Sequence, residues 1–380
     1  MEEKTLRTYL RLCHNSQFDL AGFAALLARH GRLSAVIAAL EDGGDVHGMH
    51  AGLRAAVESA ISGKSCSSDK VVDQALDWAQ HEGHQLIPFE SSSYSFLLRQ
   101  IPRPPPLLYA IGDVSILETA SCAIVGSRAA SNYGERHARW FAHDLGELGF
   151  AIVSGMARGI DSAAHLGALQ GGGTTIAVLG TGIDKVYPSG NRVVREEIKN
   201  SGLLISEFPL GAPPRSAHFP QRNRIIAGLS LGSLVVESAL RSGFLITARL
   251  AMEQGRSVFA LPGPVDNRNS QGCHKLLREG ASLVESPQEL CELLLADWHH
   301  HHVELEAKSS HSSRVTRRTG SALSIEEQQV IAALTEPAML VDQLARLAGL
   351  PASEFSAAVV QLESRGLIAR HGGRVSKASN

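Results

Sequence analysis

Residues Ala123–Asn132, AIVGSRAASN, form the stretch on which the predicted fold and site both depend. The apolar run Cys122–Val125 predicts a short buried strand. A glycine then opens a turn, and the spacing of Asn132 and Glu135 is typical of a capping box at a helix start. A strand, a glycine turn and a helix N-terminus direct backbone N–H groups at the space above the strand, where anions bind. Arg128 adds a guanidinium suited to phosphate, although a structural turn with a solvated arginine fits the same pattern.

The pattern of strand and helix repeats through the middle of the chain. Continuous apolar runs separated by helical stretches predict a mostly parallel sheet covered by helices on both faces. Ligands in such sheets bind at the carboxyl ends of the strands, and polar, glycine-rich segments follow several of the runs. The predicted strands are Leu86–Phe89, Leu107–Ile111, Cys122–Val125, Ala151–Val153, Thr175–Leu179, Leu203–Ile205, Leu234–Val236, Val258–Leu261 and Leu283–Val284.

Composition indicates a cytoplasmic globular protein. The chain has 380 residues, 44% of them hydrophobic and 19% charged, which suits two or three domains. It contains no uncharged apolar run of about 20 residues, so we expect no membrane association, and its first residues are too charged for a signal peptide. Five scattered cysteines without a CxxC pair argue against disulfides or structural zinc. The net charge of −2 means that any nucleic-acid site must be a local basic patch.

Changes in pattern along the chain predict three domains and a linker. Residues 1–83 show helical periodicity and form an N-terminal helical (SAM-like) domain. Residues 84–296 form the Rossmann-like sheet domain, and the polar, serine-rich segment 297–323 is a linker. The contiguous histidines His299–His302 lie in that segment, where no rigid scaffold directs them at one ion, so we assign no metal site.

Residues 324–380 predict a winged-helix domain, with three helices followed by two short strands around a Gly-Gly turn. The third helix of such modules often enters a DNA groove. Here it carries Glu354 and Glu363 and only one nearby arginine, Arg365. This charge pattern favours a protein-contact or degenerate role over DNA binding.

The nucleotide motifs point away from a nucleotide enzyme. The sequence lacks the P-loop pattern, and neither glycine-rich turn fits G-x-G-x-x-G, so we expect no cofactor. Glu237 follows a predicted strand, with Ser242-Gly243 and Thr247 after it, at a spacing comparable with nucleotide phosphoribohydrolases of related Rossmann folds. A hydrolase is therefore the alternative function. The favoured interpretation is that Glu237 pairs with an arginine of the site and that the protein is not an enzyme.

Seven segments follow one another in the sheet domain: AIVGSRAASNYGE (123–135), SGMARGIDSAAH (154–165), AVLGTGIDKVYP (177–188), SEFPLG (206–211), FPQRNRIIAGLS (219–230), VVESALRSGFLITARLAMEQGR (235–256) and VFALPGP (258–264). This series closely resembles the bacterial DNA-processing protein A family, DprA/Smf. The resemblance covers about residues 86–295, and the terminal domains suit the longer members. The sequence departs from the family pattern at Phe244, where serine is common, and at His274, where asparagine is common.

The resemblance implies a protein that binds single-stranded DNA and loads the RecA recombinase onto it in natural transformation and recombination. It also implies a homodimer formed through the later part of the sheet domain. The apolar residues available there are Leu245, Ile246, Leu250, Met252, Leu276, Leu277 and Leu283, although a role in the core fits them too.

The predicted DNA-binding residues follow the strands of the sheet domain. The arginines suit phosphates and the glycines allow close backbone approach, while Phe219 either stacks a base or packs in the core, and Asn223 either contacts a base edge or holds its own loop. Asp161 caps the next helix or orients Arg158. The full set is Gly126, Ser127, Arg128, Gly155, Arg158, Gly159, Lys185, Arg192, Arg215, Phe219, Arg222, Asn223 and Arg224.

Overall fold

A nine-stranded sheet organises the larger part of the structure, a computed structural model. Its order is β1-β2-β6-β5-β4-β3-β7-β8-β9; β1 and β2 pair antiparallel, β2 runs antiparallel to β6, and the other neighbours are parallel. The strands are β1 (His84–Pro88), β2 (Leu107–Gly112), β3 (Ser121–Val125), β4 (Ala151–Ser154), β5 (Thr175–Val178), β6 (Leu203–Ser206), β7 (Gly232–Val235), β8 (Ser257–Ala260) and β9 (Ser282–Leu283).

The structure describes residues 3–15, 18–42, 46–47, 49–63, 66–240, 243–296, 325–334, 338–350, 355, 358–359, 362, 368–371 and 374–377. By contacts the chain divides into two compact units, Met1–Ala307 and Lys308–Asn380. The predicted linker 297–323 lies outside the described residues, and the boundary at residue 83 stays a prediction. Within the described residues no single helix is long and apolar enough to span a membrane. The helices Leu20–His30 and Leu33–Glu41 reach that length and hydropathy only when taken together, as a pair bent by 83°.

Helices precede the sheet and connect its strands. The five before it are α1 (Glu3–Cys13), α2 (Leu20–His30), α3 (Leu33–Glu41), α4 (Ala51–Ser62) and α5 (Cys66–Ala79). The next eight are α6 (Phe96–Arg99), α7 (Asn132–Glu147), α8 (Ile160–Gln170), α9 (Arg192–Ser201), α10 (His218–Leu229), α11 (Phe244–Glu253), α12 (Gln271–Arg278) and α13 (287–296).

Burial on both faces explains why the strands are continuous apolar runs rather than alternating ones. Strand β3 is buried at every position. Its Ala123 and Val125 belong to one hydrophobic core and its Cys122 and Ile124 to another, because successive side chains point to opposite faces. The expectation of a mostly parallel sheet between two helical layers is therefore confirmed.

The N-terminal helices share a core with the sheet. Leu10 of α1 and Val72 of α5 pack in one cluster with Leu107 and Tyr109 of β2. Glu90, which follows β1, accepts hydrogen bonds from the Tyr9 hydroxyl of α1 and from Ser34 in the first turn of α3. This apolar and polar contact joins the helices to the sheet within one unit.

The second unit has the elements of a winged helix. Its described parts are α14 (Ile325–Ala333), β10 (Ala338–Leu340), α15 (Val341–Ala348), β11 (Ile368–His371) and β12 (Arg374–Lys377). The strands form a sheet of order β10-β12-β11. Phe355, Val359 and Leu362, from the predicted third helix, are buried in the core of this unit, whereas Glu354, Glu363 and Arg365 lie outside the described residues.

The strand order places the topological switch point between β3 and β7. From β3 the chain adds β4, β5 and β6 on one side, and then β7, β8 and β9 on the other. The loops after β3 and β7 therefore leave in different directions. In open α/β sheets the crevice formed in this way, at the carboxyl ends of the strands, is the usual ligand site.

We expect His165 to make this fold less stable in acid. Its imidazole is fully buried on α8, where Nδ1 lies 2.7 Å from the Thr175 hydroxyl, and burial lowers its pKa to about 3. Because the unfolded chain binds this proton below pH ~6.5 and the folded chain does not, stability falls as the pH drops from ~6.5 toward ~3, by up to ~1.4 kcal/mol per pH unit.

Urea unfolding of the wild type and of His165→Gln between pH 7 and pH 4.5 measures this contribution. The variant is expected to show a shallower decrease of stability below pH 6.5, since it lacks the titrating ring. Parallel pH profiles for the two proteins would contradict the assignment.

Candidate functional site

Two adjoining clefts open at the carboxyl end of the sheet. Cleft A, of about 660 Å³, lies between the turn 127–129, the segment 214–223 and the loop after β7. Cleft B, of about 540 Å³, lies between that turn, the segment 155–158 after β4 and the residues 179–189 after β5. Arg128, Tyr187, Phe219 and Arg222 line both clefts. The two clefts are therefore parts of one groove.

A stack of side chains separates the clefts. The Arg128 guanidinium lies 5.4 Å from the centre of the Phe219 ring, and the Tyr187 ring lies 5.5 Å from it at an interplanar angle of 36°. Arg128 is exposed and has no hydrogen-bond or ion-pair partner in the described part of the chain. Its charge is free to bind an anion while the ring contact holds it in position.

The wall of cleft B after β4 has an unusual backbone. Met156 has φ +60°, a conformation that non-glycine residues rarely adopt. Gly159 has φ +73°, and a Cβ there would lie 2.3 Å from the Ser127 carbonyl oxygen, so only glycine fits. The Asn191 amide donates to the Met156 and Ala157 carbonyls and holds this segment from below.

Arg222 supports the groove from inside. It is 3% exposed, and its Nη1 donates to the carbonyls of Gly155 and Val178, at the ends of β4 and β5. Burial lowers its pKa to about 10, so it stays charged at neutral pH. Its Nη1 is occupied by these backbone carbonyls, whereas its Nε has no hydrogen-bond partner among the described residues, and direct phosphate binding by Arg222 stays a prediction.

Asp161 faces Arg222 rather than Arg158. It is fully buried, and its Oδ2 accepts a hydrogen bond from the Ala157 N–H. Burial raises its pKa, and the charge of Arg222 opposes that effect. The N-cap of α8 is Gly159, so the prediction of Asp161 as N-cap or as partner of Arg158 is wrong. Its carboxylate instead balances the buried guanidinium.

Asn223 is a polar side chain of the groove for which the described residues supply no partner. It is 7% exposed and lines cleft A, and its amide makes no hydrogen bond to the described part of the chain. A buried amide normally has partners, because leaving it unpaired costs about 1–3 kcal/mol. Asn223 is therefore available to a ligand in cleft A, and it does not hold its own loop.

Arg224 belongs to the core, which corrects its predicted place in the DNA site. It is 4% exposed and forms a buried ion pair with Glu207. Burial raises the pKa of Glu207, and the charge of Arg224 opposes this. Neither cleft is lined by Arg224. The pair fixes α10 to the end of β6.

Glu237 joins the end of β7 to the start of α7. Its carboxylate accepts hydrogen bonds from the Ser131 N–H and hydroxyl and from the Asn267 amide. A Cβ on Gly134 would lie 2.5 Å from the Glu237 Cδ. The expectation of an arginine partner is therefore wrong, since the described donors around this carboxylate are uncharged.

The start of α7 also differs from the capping box predicted at Asn132 and Glu135. The N-cap is Ser131, whose hydroxyl accepts from the Gly134 N–H. The Ser127 N–H donates to the Glu237 carbonyl, which corrects the expectation of a free backbone donor there. The spacing of residues in the sequence could not show which of the adjacent Ser131 and Asn132 is the N-cap.

The remaining predicted residues have three kinds of place in the structure. Gly126 is buried where a Cβ would lie 2.7 Å from Ile160, so it serves close packing, while Arg158 is exposed and lines cleft B. The other cations, which are exposed but do not line the clefts, are Lys185, Arg192 and Arg215. Lys185 forms an ion pair with Asp184 at 3.3 Å.

The fold and the groove define an extended Rossmann-like protein with an additional winged-helix unit. The model of the family described as DNA recombination-mediator protein A matches residues 85–295, and that of the DprA winged helix domain matches residues 315–374. The chain therefore belongs to the DprA/Smf family.

The chain is similar in sequence to known proteins over most of its length. It is 42% identical to Protein Smf of Escherichia coli over 301 residues, covering 79% of each protein, and 48% identical to DNA processing protein DprA of Streptococcus pneumoniae over 197 residues, covering 52% of this chain and 70% of that protein. The X-ray structure of the S. pneumoniae protein superposes with a TM-score of 0.63 at 35% identity, covering 76% of this chain and 95% of that one.

A Helicobacter pylori DprA structure, whose title describes a single-stranded DNA binding mode, superposes with a TM-score of 0.51 at 32% identity. It covers 56% of this chain and 97% of that one. The two structures therefore share the fold of this chain over the parts that they cover.

We expect Arg224→Met to destabilise the protein by about 3–5 kcal/mol, because it leaves Glu207 buried without its partner. Adding Glu207→Gln should restore part of this loss. The control is Lys4→Met, which removes an exposed ion pair with Glu41 and should cost ~0.5 kcal/mol or less. Chemical denaturation measures all three variants, and equal effects of Arg224→Met and Lys4→Met would refute the core assignment.

Proposed function

We propose that this protein binds single-stranded DNA in the groove formed by clefts A and B. The observation that carries the proposal is that cleft A is lined both by the buried Asn223 and by the exposed Arg128, and that neither side chain has a hydrogen-bond or ion-pair partner among the described residues. An amide suits the edge of a base, and a guanidinium suits a phosphate. The H. pylori relative, described by its title as binding single-stranded DNA, supports the same ligand.

The lining and the size of the groove favour single-stranded DNA over duplex DNA. Its walls combine the cations Arg128 and Arg158 with the rings of Tyr187 and Phe219. Proteins that bind single strands use this combination, because an unpaired strand offers both its phosphates and the faces of its bases. In a duplex the base faces are stacked within the helix and cannot enter clefts of this size.

In this proposal the bound strand is passed to the RecA recombinase during natural transformation and recombination in the cytoplasm. The family's description as a recombination mediator supports this role. The rate at which RecA assembles on an oligonucleotide, with and without the protein, tests it. If the protein does not accelerate RecA assembly, it binds single-stranded DNA but does not load RecA.

We favour binding over nucleotide hydrolysis. A hydrolase of this type would need the Glu237 carboxylate at a substrate, yet its oxygens accept from Ser131 and Asn267. Release of free base from a nucleoside monophosphate, lost in Glu237→Gln, would favour the hydrolase alternative.

We expect tight binding to an oligonucleotide and weak binding to a duplex of the same length. Arg128→Ala should weaken binding about 10- to 100-fold, as for a charged hydrogen bond of ~1.5–3 kcal/mol, and should reduce the slope of log K against log salt by about 0.7. Arg128→Lys should recover only part, since a bidentate contact is lost.

Anisotropy titrations at several salt concentrations measure these values. Lys185→Ala is the control, because Lys185 is paired with Asp184 and lies outside the cleft lining, and it should weaken binding less. The proposal fails if the duplex binds equally well, and the role of Arg128 is rejected if Arg128→Ala keeps full affinity and slope.

We also propose that the protein forms a homodimer through the sheet domain. A shallow depression between α11 and α12 is lined by the apolar Leu245, Ile246, Met252 and Leu276 and by the charged Arg249, Lys275 and Glu279, and Met252 is exposed. A two-fold pair of such surfaces would be self-complementary. Leu250 and Leu277 pack partly against the core, so they contribute less to this surface.

Light scattering of residues 1–296 at micromolar concentration should give a dimer mass, because the proposed contact lies within this part. Met252→Glu should lower the mass toward that of a monomer, since it places a charge in the apolar contact. Leu148→Glu, at an exposed leucine that directly follows α7, is the control and should leave the mass unchanged. A monomer mass for the unmodified fragment would disprove this interface.

A further inference from the structure

A third groove lies between α2 and the segment 99–104, which begins at the end of α6. It encloses about 800 Å³ and is lined by residues of α2 and its C-cap, by Phe89, and by the segment 99–104. We call it groove C. None of the residues that line it also lines cleft A or cleft B, so the proposed function does not account for it.

Helix α2 exposes an apolar side to groove C. Residues 20–28 contain no polar or charged side chain. Phe23 and Leu26 are buried in the core of the N-terminal helices, whereas Ala25 and Ala28 are exposed and line the groove. A helix that is apolar on all sides is normally covered on all sides. Among the described residues, the exposed side of α2 lacks the neighbour that its composition predicts.

The opposite wall of groove C is rigid and poorly suited to pairing with a strand. Pro102 and Pro104 have no backbone N–H, so they cannot donate to a β-strand added along this wall. The backbone beside them is fixed, because the Tyr94 hydroxyl donates to the Pro105 carbonyl at 2.8 Å. A ligand of groove C is therefore held by its side chains rather than by its backbone.

The charge of groove C is positive. Among its described lining residues, Arg99 and Arg103 are charged and none is an aspartate or a glutamate. Arg103 is exposed and has no ion-pair or hydrogen-bond partner in the described part of the chain. Arg99 is held in place, since it donates to the Ser91 carbonyl and its guanidinium lies 5.2 Å from the centre of the Phe89 ring. These charges are complementary to a ligand that is apolar on one side and acidic along its edge.

We propose that groove C binds an amphipathic helix of another protein, with an apolar stripe against α2 and carboxylates facing Arg99 and Arg103. Recognition of a helix in a groove uses apolar side chains at i, i+3, i+4 and i+7. Small residues such as Ala25 let two helices approach closely, toward an axis separation of about 8 Å. The 11 residues of α2 extend about 16 Å, which corresponds to about three turns of such a helix.

Two other occupants fit these observations less well. A second copy of this chain, docked through the same surface about a two-fold axis, would bring its arginines toward those of the first copy. A lipid surface requires large apolar side chains on the exposed side of an interfacial helix, and α2 exposes alanines there. An acidic amphipathic helix satisfies both the charge and the shape of groove C.

Selection from a library of helical peptides of about 15 residues, a length at which an isolated helix can form, tests the proposal with the full-length protein as the target. The affinity of a selected peptide is then measured by fluorescence anisotropy. Ala25→Gln places a longer neutral side chain in the groove and should weaken binding about 10-fold or more. Its matched control is Ala38→Gln, at an exposed alanine of α3 outside the groove lining, which should leave the affinity unchanged.

Reversal of one charge tests the acidic edge of the ligand. Arg103→Glu should weaken binding of the selected peptide roughly 3- to 10-fold, because an attractive pair at the surface becomes repulsive. A peptide with lysine at its acidic positions should bind poorly to the wild type and more tightly to Arg103→Glu. Arg136→Glu, at an exposed arginine of α7 outside groove C, is the control for long-range charge and should change the affinity less. Thermal unfolding checks that each variant keeps its fold.

Three results would overturn the proposal. The first is that no selected peptide loses affinity for Ala25→Gln. The second is that the selected peptides lack carboxylates, or bind Arg103→Glu as tightly as the wild type. The third is that Arg103→Glu weakens binding of single-stranded or duplex DNA rather than of the peptide, which would make groove C a nucleic-acid surface.

Discussion

The buried guanidinium of Arg222 is the constraint on which the groove depends. It reaches from α10 to the carbonyls of Gly155 and Val178 and so joins three elements that are distant in the sequence. The absence of a side chain at Gly155 leaves room for this guanidinium, because a Cβ there would lie 2.3 Å from the Arg222 Nη1. A charge buried in this way is tolerated only with compensating partners, and Asp161 supplies the opposite charge. The walls of cleft B therefore depend on this internal network.

The strands could be predicted from the sequence, because a strand covered on both faces must be apolar at every position. The partners of the polar side chains could not. Arg222 and Arg224 stand two positions apart in FPQRNR and look equivalent, but on a helix such positions point about 200° apart. One therefore turns to the strand ends below the groove, and the other turns to Glu207 in the core. Only the packing of α10 decides which arginine contacts the strand ends and which one pairs with Glu207.

Aromatic residues show the same limit. The sequence left Phe219 open between stacking a base and packing in the core. The exposure of a ring depends on what the fold places around it: Gly180, Arg128 and Tyr187 all lie against Phe219, which still lines both clefts. Tyr187 stands between the predicted cations Lys185 and Arg192 in the sequence, and its ring lies in the groove beside Phe219.

The switch point between β3 and β7, where a Rossmann fold ordinarily holds its ligand, is largely occupied by the protein's own groups. The Glu237 carboxylate accepts the Ser131 donors at the start of α7, and the Glu237 carbonyl accepts the Ser127 N–H. Donors that would hold a nucleotide phosphate are thus used within the chain. The free charges and rings lie beside this point, over β3, β4 and β5 and along α10. A ligand held there must extend across several loops, and a polynucleotide strand meets that requirement better than a single nucleotide does.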